Sequence, residues 1–421
     1  MTDLRATRRA FLTVTALRWL PTGLLIPTVV LLQLDRGLTL AQIGLVSATQ
    51  GVVVVLLELP TGGLADAWGR RPVLALASAT AIASVGVLLV ARSPEAFVLA
   101  WALQGAYRAL DSGPLEAWYV DAALAAEPAR ELHRDLSRAS VVLYTSIATG
   151  ALAAAGLALL PAVAGTPRAN AVVACLVLEA LHLAAVVMLV RERRPARGWA
   201  ALRTAVTNAP ATVALAAKRG WTLRPLRLVL AVELSWGAGL AVVELLWQPH
   251  VQAATGQEHP WLFGVMGASA WVVGAGGALL VPLLVRCAGG RVVPVAMAGR
   301  VLQGGTVVAF AYATGPAGLV TAFVAFYLVH GTSGPCHETL LHARADSAVR
   351  ASVLSLNSLV SRAGALPATL ALPAVAGRWG TSTALLLAGL LLATAAPLYL
   401  RSGEPPRQPD AVDRLEPLPA G

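Results

Sequence analysis

Charge is what this chain has least of: only 13% of its 421 residues are Asp, Glu, Lys or Arg, against about a quarter in a soluble domain. With 57% hydrophobic residues and a mean hydropathy of +0.69, an ordinary water-soluble fold is excluded. Lysine is almost missing, one residue (Lys218) against 31 arginines. Cysteine is scarce as well: Cys175, Cys287 and Cys336 sit in or beside separate apolar runs, too scattered for a metal site or a disulfide framework, and read as packing residues. The period-two alternation of a membrane barrel is absent. No Gly-rich nucleotide loop is present, which excludes ATP-driven pumping by this chain.

Long apolar runs are what the chain has instead. A run of about 20 residues spans a bilayer as a helix, and twelve are found, at 10–32, 41–60, 73–93, 97–118, 139–162, 169–190, 227–247, 261–285, 292–313, 317–338, 352–375 and 380–400. The expected fold is an all-α integral membrane protein of twelve transmembrane helices. Arg8-Arg9 before the first run has the look of a signal peptide, but Arg18 interrupts the run and no small-residue cleavage site follows, so it reads as the first span.

Basic residues concentrate in cytoplasmic loops. With the N-terminus inside, 24 of the 32 fall on the inner side, four outside (Arg36, Arg92, Arg168, Arg378) and four within spans. Both termini are therefore expected in the cytoplasm. The net charge of +10 and pI near 10.5, which in a soluble chain suggest nucleic acid, become topology signals beside anionic lipid. No nucleic-acid partner is expected.

The one long polar stretch inside the chain, 191–226, separates six spans from six. The expected organisation is a first half over 1–190, a cytoplasmic linker over 191–226, a second half over 227–401 and a disordered cytoplasmic tail over 402–421. Within the linker, 200–217 reads equally as a plain connector or as an amphipathic segment on the membrane surface. The halves resemble each other. Ser112-Gly113-Pro114-Leu115-Glu116 recurs as Ser333-Gly334-Pro335-Cys336-His337-Glu338, and Arg138-Ala139-Ser140-Val141 as Arg350-Ala351-Ser352-Val353. A duplicated, pseudo-symmetric six-helix unit follows, as in many transporters.

The most specific motif is Glu58-Leu-Pro-Thr-Gly-Gly-Leu-Ala-Asp-Ala-Trp-Gly-Arg-Arg-Pro-Val-Leu74, a compact loop between the second and third spans. It resembles the corresponding loop of the major facilitator superfamily, departing at Ala67 (family Arg) and Arg71 (family Lys), within the drug and metabolite:proton antiporter branch. The resemblance implies a gate made by Gly62, Asp66, Gly69, Arg70 and Arg71. Asp66 would contact the start of the eleventh helix, where free backbone N–H groups favour negative charge. Arg70 would pair with Glu116 or Asp121. The generic alternative is a tight turn carrying topology charges. The second copy reads Arg286, Gly289, Gly290 and Arg291, without the acid, so the two loops are not mechanically equivalent.

Charged side chains at mid-membrane cost about 2.5–3.5 kcal/mol even on lenient scales and so line cavities or pair. Gln104, Arg108 and Asp111 form one stripe on the fourth span, Glu233, Gly237, Leu240 and Glu244 one face of the seventh. His330, Gly334 and His337 share a face of the tenth span, Ser355, Ser358 and Arg362 one of the eleventh. The family resemblance places Arg18, Gln104, Arg108, Asp111, Glu233, Glu244, His330 and Arg362 along a substrate and proton pathway. Asp111 and Glu233 lead as proton carriers, ahead of Glu179 on a span that is peripheral in the family; a shielded carboxylate is the kind of group that takes up a proton near neutrality. The alternative for each acid is a static ion pair with Arg18, Arg108, Arg300 or Arg362, and Arg108–Asp111 is a possible pair within one helix. The exporter pattern Arg-x-x-Gln-Gly is half present: Gln104-Gly105 match, but Trp101 stands where Arg is expected.

His337-Glu338-Thr339-Leu340-Leu341-His342 mimics a zinc protease motif, yet its second His is at i+5 rather than i+4. No metal, cofactor or catalytic residue is expected, and the chain is not read as an enzyme. The expected function is secondary active transport of a small organic molecule by alternating access, as proton-coupled export. The alternatives are import of a small metabolite such as a sugar, an amino acid or an anion, and a transporter-like membrane sensor or scaffold. A monomer in a bacterial cytoplasmic membrane is expected, its partners the lipid bilayer, a small-molecule substrate and protons; the Arg-for-Lys bias and abundant Ala suggest a GC-rich bacterial genome.

Overall fold

A computed structural model describes residues 4–128, 130–192, 207, 222–256, 259–344 and 350–404. Among these, fifteen helices make up the twelve expected crossings: α1 Leu4–Leu25 with α2 Val29–Asp35, α3 Leu40–Trp68, α4 Arg70–Val90, α5 Pro94–Asp111 with α6 Pro114–Ala126, α7 His133–Leu157 and α8 Ala169–Leu189. After the linker follow α9 Arg224–Thr255, α10 Pro260–Cys287, α11 Val292–Tyr312, α12 Gly315–His342, α13 Arg350–Trp379, and α14 Thr381–Thr394 with α15 Pro397–Ser402. The linker residues 193–206 and 208–221, including most of the suggested amphipathic segment, and the tail from 405 lie outside the described residues.

Eleven of these crossings are long and apolar enough to span a membrane. The fourth falls short because the 18 residues of α5 carry Glu95, Arg108 and Asp111. Three crossings expected as single helices are broken. Pro27 lies in the turn between α1 and α2, and Pro397 starts α15; a missing N–H and a fixed φ interrupt the ladder at each. The fourth crossing breaks at Ser112-Gly113, where Gly113 has φ 105°, a left-handed conformation that only glycine adopts without strain. The expected loop after residue 60 is helical as far as Trp68, so the turn of the gating motif shrinks to Gly69, with φ 99°. Local signals set other ends: Thr39 and Gln42 form a reciprocal capping box on α3, and Ser93 accepts from the Ala96 N–H before Pro94 opens α5.

Lipid gives helices no hydrophobic reason to associate, so small residues that admit close backbone approach do much of the work. Gly23 and Gly150 put α1 against α7, and a Cβ on either would sit 2.9 Å from the other's Cα. Helix packing repeats with an offset of six crossings. In the first half α1 packs on α7 and α8, α4 on α5 and α8, and α3 on α5; in the second α9 packs on α13 and α14, α11 on α12 and α14, and α10 on α12. The halves meet through α3 with α13, α7 with α10, and α2 with α9.

These meetings crowd toward one end. At the end carrying Asp35, Leu31 enters the core cluster of the second half, Leu245 enters that of the first, and Ala148 and Ala151 pack on Ala268. At the opposite end, carrying Arg70, the clusters around Tyr119 and around Tyr399 each stay within one half. Among the described residues, apolar packing between the halves gathers toward the Asp35 end, while at the Arg70 end the apolar clusters stay within their own halves.

Candidate functional site

At the Arg70 end, the turn at Gly69 leaves the first N–H groups of α4 unpaired, as at any helix start. The Glu192 carboxylate takes two of them, from Arg70 and Arg71, at 3.0 Å each. The side chains then reach apart: Arg70 Nη1 lies 2.6 Å from Asp121 Oδ2 and donates to the Ala117 carbonyl, while Arg71 donates to the Val187 carbonyl. Of the two acids considered for Arg70, the geometry picks Asp121; Glu116 is exposed. Gly62 and Asp66 lie on the α3 backbone, and the Asp66 side chain is outside the described residues. Thr61 ties this stretch to α5 by donating to the Ala109 carbonyl at 2.8 Å.

A second centre at this end went unnoticed in the sequence. Asp135, 1% exposed, accepts from Tyr119 Oη at 2.7 Å, Arg130 Nε at 2.8 Å and Arg138 Nη1 at 3.3 Å, with Arg8 3.7 Å away. The Asp135 and Glu127 hydrogen bonds raise the pKa of Arg130, in the α6–α7 loop, above the ordinary arginine value. Tyr119 also stacks on Phe11, ring centroids 4.3 Å apart.

The interior of the first half holds Arg18, Ser78, Tyr107, Asp111, Glu179 and His182. Arg18 Nε pairs with Asp111 Oδ2, and its Nη2 donates to the Asp111 carbonyl at 3.1 Å. Asp111 is thus joined to Arg18 on α1, not to Arg108 one turn before it. His182 Nδ1 lies 3.5 Å from Glu179 Oε2 and 3.4 Å from Ser78 Oγ. The expected stripe on α5 divides: Gln104 accepts from Ser84 of α4 at 3.2 Å, Asp111 is buried, and Arg108 is exposed.

In the second half, His337 Nε2 lies 3.2 Å from Glu233 Oε2 and 3.0 Å from Asn357 Oδ1, and its Nδ1 2.8 Å from Tyr399 Oη. Both neighbours of Nε2 are acceptors, so the proton sits there and Tyr399 donates to Nδ1. Arg300, 2% exposed, donates to Gln303 Oε1, leaving the Gln303 amide to donate to His330 Nδ1 at 3.0 Å. His330 stacks on Trp236, which Arg300 also covers at 5.3 Å.

Between the halves, Arg108 of α5 and Glu244 of α9 are both exposed although their helix neighbours are mostly buried. They interact electrostatically with each other, yet neither makes a hydrogen bond or an ion pair within 4.0 Å among the described residues. Mid-helix exposure on two helices from different halves, with opposite charges that sense each other, marks a shared cleft. Toward the Arg70 end Glu58 and Arg362 bridge α3 and α13 at 3.7 Å. No group of three or more His, Cys, Asp or Glu residues suited to a metal ion occurs among the described residues.

The family model for the Major Facilitator Superfamily matches residues 11–369. No curated protein matches the chain. Among solved structures, the nucleoside transporter NupG is similar, with a TM-score of 0.76 at 14% identity over 94% of this chain and 98% of that one. A POT family transporter in complex with a thioalcohol-conjugated peptide gives a TM-score of 0.71 at 10% identity, covering 94% of this chain and 95% of that one. These likenesses are of fold.

Proposed function

This chain belongs to the Major Facilitator Superfamily, a transporter and not an enzyme, and we propose that it exports a small organic molecule across a bacterial cytoplasmic membrane, driven by protons. The observation that carries the reading is the cleft marked by Arg108 from one half and Glu244 from the other, both exposed at mid-helix, with the apolar packing between halves gathered toward the Asp35 end among the described residues. Alternating access requires such a site at the interface of two rocking bundles. The inner-side count of basic residues supports cytoplasmic termini, and with them a cleft open to the cytoplasm. The matched packing of the two sets of six crossings supports pseudo-symmetric halves. Glu192 and the Arg70–Asp121 pair support the gating role of Gly69, Arg70 and Arg71, and Asp66 is assigned the latch to the start of α13.

Import of an anionic metabolite is the second reading, favoured by the exposed Arg108 guanidinium with Arg362 beyond it. Both are tested in proteoliposomes carrying the purified chain, with an imposed pH gradient of either sign and a panel of amphipathic and anionic compounds. Export predicts that a compound leaves the side facing the cleft when protons enter from the other. Movement of every compound indifferent to the gradient and to an uncoupler would sink proton-driven transport, and co-directional movement with protons would replace export by import.

A further inference from the structure

The acid–histidine pairs of the two interior clusters are satisfied to different degrees, although in the second half Arg300 Nε and Trp236 Nε1 are also buried without a hydrogen-bond partner among the described residues. In the second half, both ring nitrogens of His337 are engaged, and Glu233 faces His337, Ser361 and Asn357. In the first half, Asp111 Oδ1, Glu179 Oε2 and His182 Nε2 are buried with no hydrogen-bond partner among the described residues. Their residues are 2%, 4% and 0% exposed. A buried acceptor without a donor carries its full desolvation cost, and more so when charged.

The charges in this cluster do not balance without a proton. Two carboxylates, Asp111 and Glu179, share the interior with one paired guanidinium, Arg18, which is taken by Asp111. A second carboxylate there needs either its own proton or a cationic neighbour, and the neighbour in place is His182, 3.5 Å away. Either way the cluster is neutral only with one proton on the Glu179–His182 pair. The groups surrounding it are Arg18 from α1, Ser78 from α4, Tyr107 and Asp111 from α5, and Cys175 from α8 itself. The ionisable groups of α7, which also touches α8, are His133, Arg134, Asp135, Arg138 and Tyr144, all in its half nearer the Arg70 end.

We propose that Glu179 and His182 hold the exchangeable proton of the transport cycle and share it with Asp111, while Glu233 is a structural acid. This rests on the proton-driven reading above. Arg18, the partly exposed member of the cluster, is its contact with the cleft. When Arg18 swings away, Asp111 loses its countercharge and takes the proton: an O–H bond on Glu179 or an N–H bond on His182 breaks, and an O–H bond forms on Asp111. Loss of that proton to cleft water restores the Arg18 pair.

The test is a pH titration of the full chain in lipid nanodiscs by infrared difference spectroscopy, following the C=O stretch of protonated carboxylic acids. The wild-type chain should show a titrating band that is lost in Glu179→Gln, shifts its midpoint in His182→Gln and is unchanged in Glu233→Gln. A band that persists in Glu179→Gln or disappears in Glu233→Gln overturns the assignment, as does a wild-type chain with neither a titrating carboxylic band lost in Glu179→Gln nor a titrating imidazole band lost in His182→Gln. Should Glu179→Gln fail to fold, an unmoved midpoint in His182→Gln overturns it instead. In proteoliposomes, Glu179→Gln should cut substrate-driven proton movement at least about tenfold. Absence of proton movement in the wild-type chain would remove the proton-driven reading, a result distinguishable from any outcome of the band assignment.

Discussion

Glu192 and Glu404 stand in the same relation to two different helices. Glu192, just after α8, receives the N–H groups of Arg70 and Arg71 at the start of α4; Glu404, just after α15, receives those of Val292 and Val293 at 3.2 and 2.9 Å at the start of α11. A carboxylate on a helix N-terminus satisfies orphan donors and meets the positive end of the dipole. Aligned by these caps, Val292 and Val293 stand where the first copy has Arg70 and Arg71, two residues beyond the Gly290 and Arg291 matched by sequence, and the closure survives without either guanidinium.

Removing either cap should therefore destabilise the fold, and unequally. Glu192→Ala should cost about 1–2 kcal/mol, because Arg70 and Arg71 rely on the same turn to reach Asp121 and Val187. Glu404→Ala should cost about 0.5–1 kcal/mol, since Val292 and Val293 have no such side-chain anchors. Thermal unfolding of the purified variants in detergent ranks them, and an equal or reversed order would show that the arginines add nothing.

Asp135 is the acid whose loss should hurt folding most. Arg8, Arg130 and Arg138 converge on a carboxylate that is 2% exposed as a side chain, and Asp135→Asn leaves three guanidiniums facing one another. Breaking a buried pair costs about 3–5 kcal/mol, and partial exposure of the arginines lowers the expectation to about 2–3 kcal/mol. Lower thermal stability with poorer membrane expression is the expected outcome; a variant as stable as the wild-type chain would mean that water already screens this cluster.

The crossings themselves were legible because hydropathy is a local property, and every expected apolar run falls largely on one helix or on a broken pair of helices. Their breaks were not: Pro27 and Pro397 sit inside runs as apolar as those that stay continuous, and other prolines, such as Pro249 and Pro282, lie within unbroken helices. The site was legible as residue types on faces, not as partners. Asp111 has Arg108 at helical spacing, yet its ion pair is with Arg18, 93 positions earlier, a choice made by the packing of the α5 end against α1. Glu192 and Glu404 left a faint signal, an offset of 212 residues equal to that between Arg138 and Arg350, but neither stands in an apolar run that would draw attention to it.

The latch assigned to Asp66 separates from the cap by its readout. Asp66→Asn and Arg70→Ala should lower transport rate severalfold while leaving substrate affinity near the wild-type value, because a gate biases conformations without touching the ligand. Initial rates against concentration in proteoliposomes check this. Unchanged rates in both variants would reduce the motif to a tight turn with topology charges.

The cleft makes the sharpest prediction about accessibility. In a chain with the exposed Cys287 changed to Ser, cysteine at Glu244 or Arg108 should react with a membrane-impermeant thiol reagent applied from the Arg70 side. Cysteine at Ala151 or Ala268 should not, because those positions lie in the apolar packing between halves. Cys175 and Cys336 are buried and should contribute little background. Opposed charges also predict reciprocal rescue: Arg108→Glu and Glu244→Arg should each impair transport, and the double variant should recover part of it, since the pair interact electrostatically while remaining unpaired. Strictly additive losses in the double variant, together with labelling of the Ala151→Cys variant from the Arg70 side, would place the two charges in separate environments and remove the shared cleft.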